Sequence, residues 1–109
     1  MIVTMNIKSL AGGQLTNSKA TLYTVPASTT TIIKTITYVN IDSSARTVNL
    51  YIKPSGSNSR RIIPMNMTLG IGYMMAEDEE LTLGTADEIE GDASVDNVID
   101  YTINGVEKE

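Results

Sequence analysis

The chain has 109 residues and a formal charge of −5, with no Cys, His, Trp or Phe. At this length one domain is the expectation, and its core must be aliphatic, built from Ile, Val, Leu and Met with five Tyr. The missing residue types exclude a disulfide, a thiol nucleophile, an imidazole base and a Cys/His zinc site.

Residues 1–8 alternate weakly, with Val3, Met5 and Ile7 against Ile2, Thr4 and Asn6. They read as an edge strand or an arm that pairs with a neighbouring chain. No basic region followed by a long apolar run opens the chain, so no signal peptide is expected. No stretch approaches the ~18 apolar residues of a membrane span. Residues 10–19 read as a loop broken by Gly12-Gly13, which lacks the lysine and Ser/Thr spacing of a phosphate loop. Residues 21–25 form the first clear strand, ended by Pro26, which has no N–H for a ladder. After a tight connection, residues 31–41 form the longest strand, dense in β-branched side chains. One face carries Ile33, Thr35, Thr37, Val39 and Ile41; the other carries Ile32, Lys34, Ile36 and Tyr38. Both faces are partly apolar, as in a central strand.

Asp42-Ser43-Ser44-Ala45 is a polar turn whose side chains can bond their own backbone. Residues 46–53 follow as a strand with Val48, Leu50 and Ile52 on one side and Thr47, Asn49, Tyr51 and Lys53 on the other. That period of two marks a half-buried strand. Residues 54–60 are a polar loop leading to Arg60-Arg61, which reads as a solvated or ion-paired flank more readily than as an anion site. Residues 65–75 are rich in Met; Gly70 and Gly72 argue against a helix, and the methionines suit core or subunit packing. Residues 77–80 make an acidic turn before a short strand at 81–83, ended by Gly84. Residues 87–92 are a second acidic cluster, read as a solvated rim because neither cluster has the spacing of a calcium loop. Residues 95–104 are the last strand, closed by an Asn104-Gly105 turn.

No segment sustains a helical apolar stripe. Short strands between Gly, Pro, Ser and Asp clusters predict an all-β fold, a single antiparallel β-sandwich or jelly-roll-like domain with little or no helix. The expected division is an arm and loop over residues 1–19, the sandwich over 20–107 and a tail at 108–109. Charge is unevenly spread: seven cations stand against the single acid Asp42 through Arg61, and twelve acids against Lys108 thereafter. Interleaved antiparallel strands would bring these opposite charges together. Scattered cations without an aromatic platform give no nucleic-acid surface. A further reading is that basic and acidic patches on neighbouring copies attract.

Residues 22–27 (L-Y-T-V-P-A), the Ile/Thr-rich strand ending at Asn40, and T-V-x-L over residues 47–50 resemble a group of small tailed-bacteriophage virion proteins. So do L-x-x-G over residues 81–84, D-x-I-x-G-x-A over 87–93 and the closing Y-T-I-N-G-V-E over 101–107. The resemblance covers about residues 20–107 and carries no catalytic residues and no cofactor. It implies a non-enzymatic structural protein attached to a capsid, neck or tail. Such a protein is located in the virion and assembled in the host cytoplasm. Its partners are other virion proteins and further copies of itself, a trimer being favoured, with neither nucleic acid nor membrane. The candidate contact residues are Ile2, Val3, Met5, Arg60, Arg61, Met65, Met67, Tyr73, Met74 and Met75. The alternative is a recognition module that binds host carbohydrate or protein, with Tyr23, Tyr38, Tyr51 or Tyr73 exposed to stack on sugars.

Overall fold

The computed structural model describes residues 3–109, which hold ten strands and no helix. They are β1 (Met5–Gln14), β2 (Ala20–Thr24), β3 (Thr30–Asn40), β4 (Arg46–Lys53), β5 (Arg60–Arg61), β6 (Met67–Leu69), β7 (Met74–Glu77), β8 (Leu81–Leu83), β9 (Glu88–Ala93) and β10 (Ile99–Lys108). All pairings are antiparallel. One sheet runs β1-β10-β3-β7, with β8 continuing the β7 edge along β3; the other runs β2-β9-β4-β5, with β6 continuing the β5 edge along β4. Taking β5 with β6 and β7 with β8 as interrupted edges leaves two four-stranded sheets. Successive arms cross between them, which is the jelly-roll arrangement. The all-β sandwich without helix expected from strand and turn spacing is borne out.

The inner faces follow from the alternation. Val48 and Leu50 on β4 point inward and are fully buried, as are Ile89 on β9 and Ile99 and Ile103 on β10. On β3 the single alternation expected from the sequence does not hold. Ile33 pairs with Gly105 and Thr35 with Asn104, so Lys34 is an extra residue, a β-bulge. The bulge reverses the phase of the strand. Thr31 and Ile33 face the core before it, and Ile36, Tyr38 and Asn40 face the core after it. Ile41, expected on a strand face, lies past the strand end and is exposed.

A second bulge, Leu10 on β1, faces the same stretch of β10 from the other side. Between the two bulges sits Gly105. A Cβ there would lie 2.2 Å from the carbonyl oxygen of Ile32 and 2.9 Å from Leu10 Cδ1. Gly105 therefore marks a close approach of three strands rather than the expected turn, and β10 continues through it to Lys108. The loop expected from residue 10 is strand as far as Gln14, with the Tyr101 ring lying against Gly13. Residues 95–98, expected as strand, precede β10 as a turn in which Asn97 has φ +61°.

Every buried side-chain N and O among the described residues has a partner. One such group lies where β2 meets the first sheet. The Tyr23 hydroxyl donates to Glu107 Oε2 at 2.6 Å and lies 2.8 Å from the Thr31 hydroxyl. Lys8 Nζ reaches Glu107 Oε1 at 2.9 Å. The Tyr23 bond and then Lys8 hold the Glu107 carboxyl below the usual range, although burial acts against this. Burial, then the Glu107 carboxylate, pushes the Tyr23 hydroxyl up to about 12.

Candidate protein–protein interface

The two outer faces of the sandwich differ in chemistry. On the sheet holding β9, Glu88, Glu90 and Asp92 recur at every second residue and so share the outer face. Cross-strand pairing gives the rows Thr24–Glu88–Lys53, Thr21–Glu90–Tyr51–Arg61 and Asp92–Asn49. Each carboxylate is engaged. Glu88 accepts from the Thr21 hydroxyl at 2.6 Å and lies 3.7 Å from Lys53 Nζ. Glu90 accepts from the Ser59 hydroxyl. Asp92 accepts from the Tyr51 hydroxyl at 2.8 Å and from Asn49 Nδ2 at 2.8 Å. Arg61 donates to Asn49 Oδ1 at 2.6 Å and lies over the Tyr51 ring, 5.1 Å from its centroid. Lys19 lies 4.9 Å from the same centroid. Burial, then Asp92, raises the Tyr51 hydroxyl pKa, so it stays a donor. The acidic rim expected over residues 87–92 is thus a closed polar network on a strand face, not a set of solvated charges. Among the described residues no group of three or more carboxylates is placed to hold a metal ion.

The outer face of the other sheet carries fewer charges, among them the bulged Lys34, which is exposed and ion-paired with Glu80. Its rows are Met5–Lys108–Thr30, Ile7–Val106–Ile32–Thr82, Ser9–Asn104–Thr35, Gly12–Thr102–Thr37–Ala76 and Gln14–Asp100–Val39–Met74. Within these rows only Lys108 and Asp100 are ionic, and Asp100 accepts from Gln14 Nε2 at 2.9 Å. A β-sheet face dominated by threonines and aliphatics, with few charges, approaches the composition of an interface centre. Two exposed apolar regions mark its ends. Val3, Met5 and Ile7 lie at the Thr30 end, Ile7 being 87% exposed; Ile41, Ile71, Tyr73 and Met74 lie at the Asn40 end. The length of β3 puts the two ends ~33 Å apart. Gly72, with φ +70°, shapes the turn that presents Ile71 and Tyr73.

A cleft of about 230 Å³ opens between the two sheets, where the β7/β8 edge faces Ile52 and Arg61 of the other sheet and the adjoining Ile62. Ile36, Ile52, Ile62 and Leu81 form its apolar lining, and Glu77, Glu79 and Arg61 its polar lining. Glu77 accepts from the hydroxyl of Tyr38, which is fully buried, at 3.1 Å. Burial, then Glu77, raises the Tyr38 pKa, so this hydroxyl remains protonated.

The candidate contact residues fall in several places. Val3 and Met5 stand exposed at the Thr30 end, while Ile2 lies outside the described residues. Tyr73 and Met74 stand at the Asn40 end, and Met65 is exposed beside β6. Arg60 is exposed on β5, but Arg61 is engaged by Asn49 and Tyr51. Met67 and Met75 are half-buried and pack against the core. The tyrosines offered for sugar stacking are mostly unable to do so: Tyr23 and Tyr38 are buried, and Tyr51 lies among Lys19, Arg61 and Asp92. Only Tyr73 of the four is exposed. Sequence reasoning missed Val106, Ile32 and the cleft, because their juxtaposition depends on register and, for the cleft, on the packing of the two sheets.

No family model matches this chain, and no curated protein matches it by sequence. Solved structures do. A chain of infectious bursal disease virus Gx strain superposes on 99% of this chain with a TM-score of 0.55 at 10% identity. A chain of the T13 IBDV viral particle gives 0.51 over 98%, and one of the Gt strain 0.51 over 97%, each at 10% identity. This chain spans about a third of the length of each, 33%, 30% and 32% respectively. At that identity the likeness is one of fold. It agrees with the viral side of the sequence resemblance and carries nothing specific to tailed bacteriophages. The chain has a two-sheet β fold also found in about a third of each of these virus-particle chains.

Proposed function

We propose that this chain is a non-enzymatic structural component of a virion, attached through repeated protein–protein contacts. The setting its sequence resembles is the capsid, neck or tail of a tailed bacteriophage. The observation that carries this reading is the contrast between the two outer faces: one closes its many charges among themselves, the other presents mostly threonine and aliphatic side chains with few charges. Burying such a face costs little desolvation, and many weak copies of one contact become durable together. The fold shared with virus-particle chains supports the same reading. A cyclic homo-oligomer, a trimer being favoured, fits a lattice or ring that binds many copies.

Particles purified by density gradient from cells producing the chain test the proposal. The expected result is the chain at fixed stoichiometry in the particles, reduced by Thr37→Glu or Val39→Glu on the charge-poor face. Particles free of the chain would overturn it.

A further inference from the structure

The first sheet has two unlike edges, and its strand order places them on opposite sides. β1 is a ten-residue edge bonded only to β10. The far edge is cut into β7 and β8, and the cleft opens at the cut. Short or interrupted edge strands resist pairing with other chains, whereas a long free edge invites it. The corner of β1 presents Val3, Met5 and Ile7 to solvent. Beside them Lys108 is exposed, faces outward with Met5, and makes no ion pair among the described residues. At the cleft the chemistry is complementary. Four aliphatic side chains line it with Arg61, which is held by Asn49 and Tyr51, while Glu77 and Glu79 at the mouth have no cationic partner within ion-pair distance among the described residues. Its volume of about 230 Å³ is below the ~300–1,000 Å³ of small-molecule sites and suits a single side chain.

We propose that the cleft is a socket for a second copy of this chain. Ile7 of one copy enters among Ile36, Ile52, Ile62 and Leu81 of the next, and its Lys108 meets Glu77 and Glu79. The contact joins two different surfaces, so it is heterologous, and repetition around an axis closes a ring. This deepens the assembly reading above by naming the surface through which copies meet.

The natural absence of cysteine makes the test direct. Ile7→Cys and Glu79→Cys are both exposed changes that leave the core intact. Under mild oxidation the chain carrying both substitutions should form a ladder of covalent oligomers, and each single variant should stay monomeric in denaturing gels. Adding Lys108→Glu to the double variant should lower the cross-linked fraction about tenfold, since like charges then meet at the mouth. No ladder from the double variant overturns the socket. Dimers from Ile7→Cys alone overturn it too, because they mean that two β1 edges meet. A chain found in virions without a ladder removes the socket and leaves the virion reading. A ladder without virion incorporation does the reverse.

Discussion

Replacing Gly105 with Ala should be among the most damaging single-methyl additions in this chain. The new Cβ would lie 2.2 Å from the Ile32 carbonyl oxygen, 2.9 Å from Leu10 Cδ1 and 3.2 Å from the Ile32 carbonyl carbon. Two of these three atoms are backbone, so no rotamer change relieves the clash. Reaching ordinary contact needs β10 and β3 to part by ~1 Å. Overpacking alone costs ~1–3 kcal/mol, and each strand bond lost adds ~1 kcal/mol. A total of ~3–5 kcal/mol follows, against a stability of ~5–15 kcal/mol for a domain. The assay is urea unfolding by circular dichroism, with two further glycines as a gradient. Gly91→Ala meets Leu22 Cδ1 at 2.9 Å and the Asn49 carbonyl oxygen at 3.2 Å, and should fall between. Gly12→Ala, whose nearest neighbour is the Tyr101 carbonyl oxygen at 3.5 Å, should cost less than ~1 kcal/mol. If Gly105→Ala is as stable as Gly12→Ala, the three-strand approach at the paired bulges is wrong.

The remaining expectations concern single networks and turns. Glu107 is held below its ordinary pKa, so its stabilising contribution is complete above the unfolded value near 4.5 and is lost as pH falls through the folded value. Glu107→Gln should flatten that acid limb of stability, read by unfolding at stepped pH. Tyr23 keeps its proton to about 12 in the folded chain, so stability should fall as pH rises above about 10 and the unfolded chain ionises first; Tyr23→Phe should remove this fall, seen by denaturation between those limits. Ala86 sits at φ +69°, so Ala86→Gly should stabilise by ~0.5–1 kcal/mol, while Ala76→Gly in β7 should destabilise; both are read as shifts in melting temperature. Asn49→Ala removes the acceptor of Arg61 and of the Asn66 N–H, which lies 2.8 Å from Asn49 Oδ1, and should cost ~2 kcal/mol by urea titration.

Where alternation ran unbroken, the sequence was legible. β4 shows it best: Val48 and Leu50 are buried, and Asn49, Tyr51 and Lys53 face out, as their spacing predicts. In β3 the same reasoning fails, for a physical cause. A bulge adds one residue without altering composition, so Ile33 and Ile36 reach the same face although their parity differs. The edges were illegible for another reason. β5, β6, β7 and β8 have two to four residues each, too few for a period of two to speak. Gly105 was read locally as half of a turn pair, yet its role comes from Ile32 and Leu10, both distant in sequence. The candidate contacts divide along the same line. Val3, Met5, Tyr73 and Met74 could be picked out as apolar side chains near expected ends and loops. The cleft could not be seen, because its lining brings together residues of two sheets that are far apart in sequence.

The charge imbalance along the chain has a resolution that follows from this topology. Cations of the first half meet acids of the second: Lys8 with Glu107, Lys34 with Glu80, Lys53 with Glu88. Each pair joins residues far apart in sequence, so folding itself brings the two halves into register, as interleaved strands require. Among the described residues only Asp42 with Arg46 is local. These pairs draw on half of the eight cations and leave acid in excess, part of which lies at the cleft in Glu77 and Glu79. Lys108 is the lone cation of the acidic half, and it stands across the sheet from that cleft. Within one copy these groups lie at opposite edges of a sheet; between two copies the same edges can adjoin. A charge left over inside the fold thus becomes a means of selecting the neighbour, which is the role that complementary charge has at interfaces: register and specificity more than affinity.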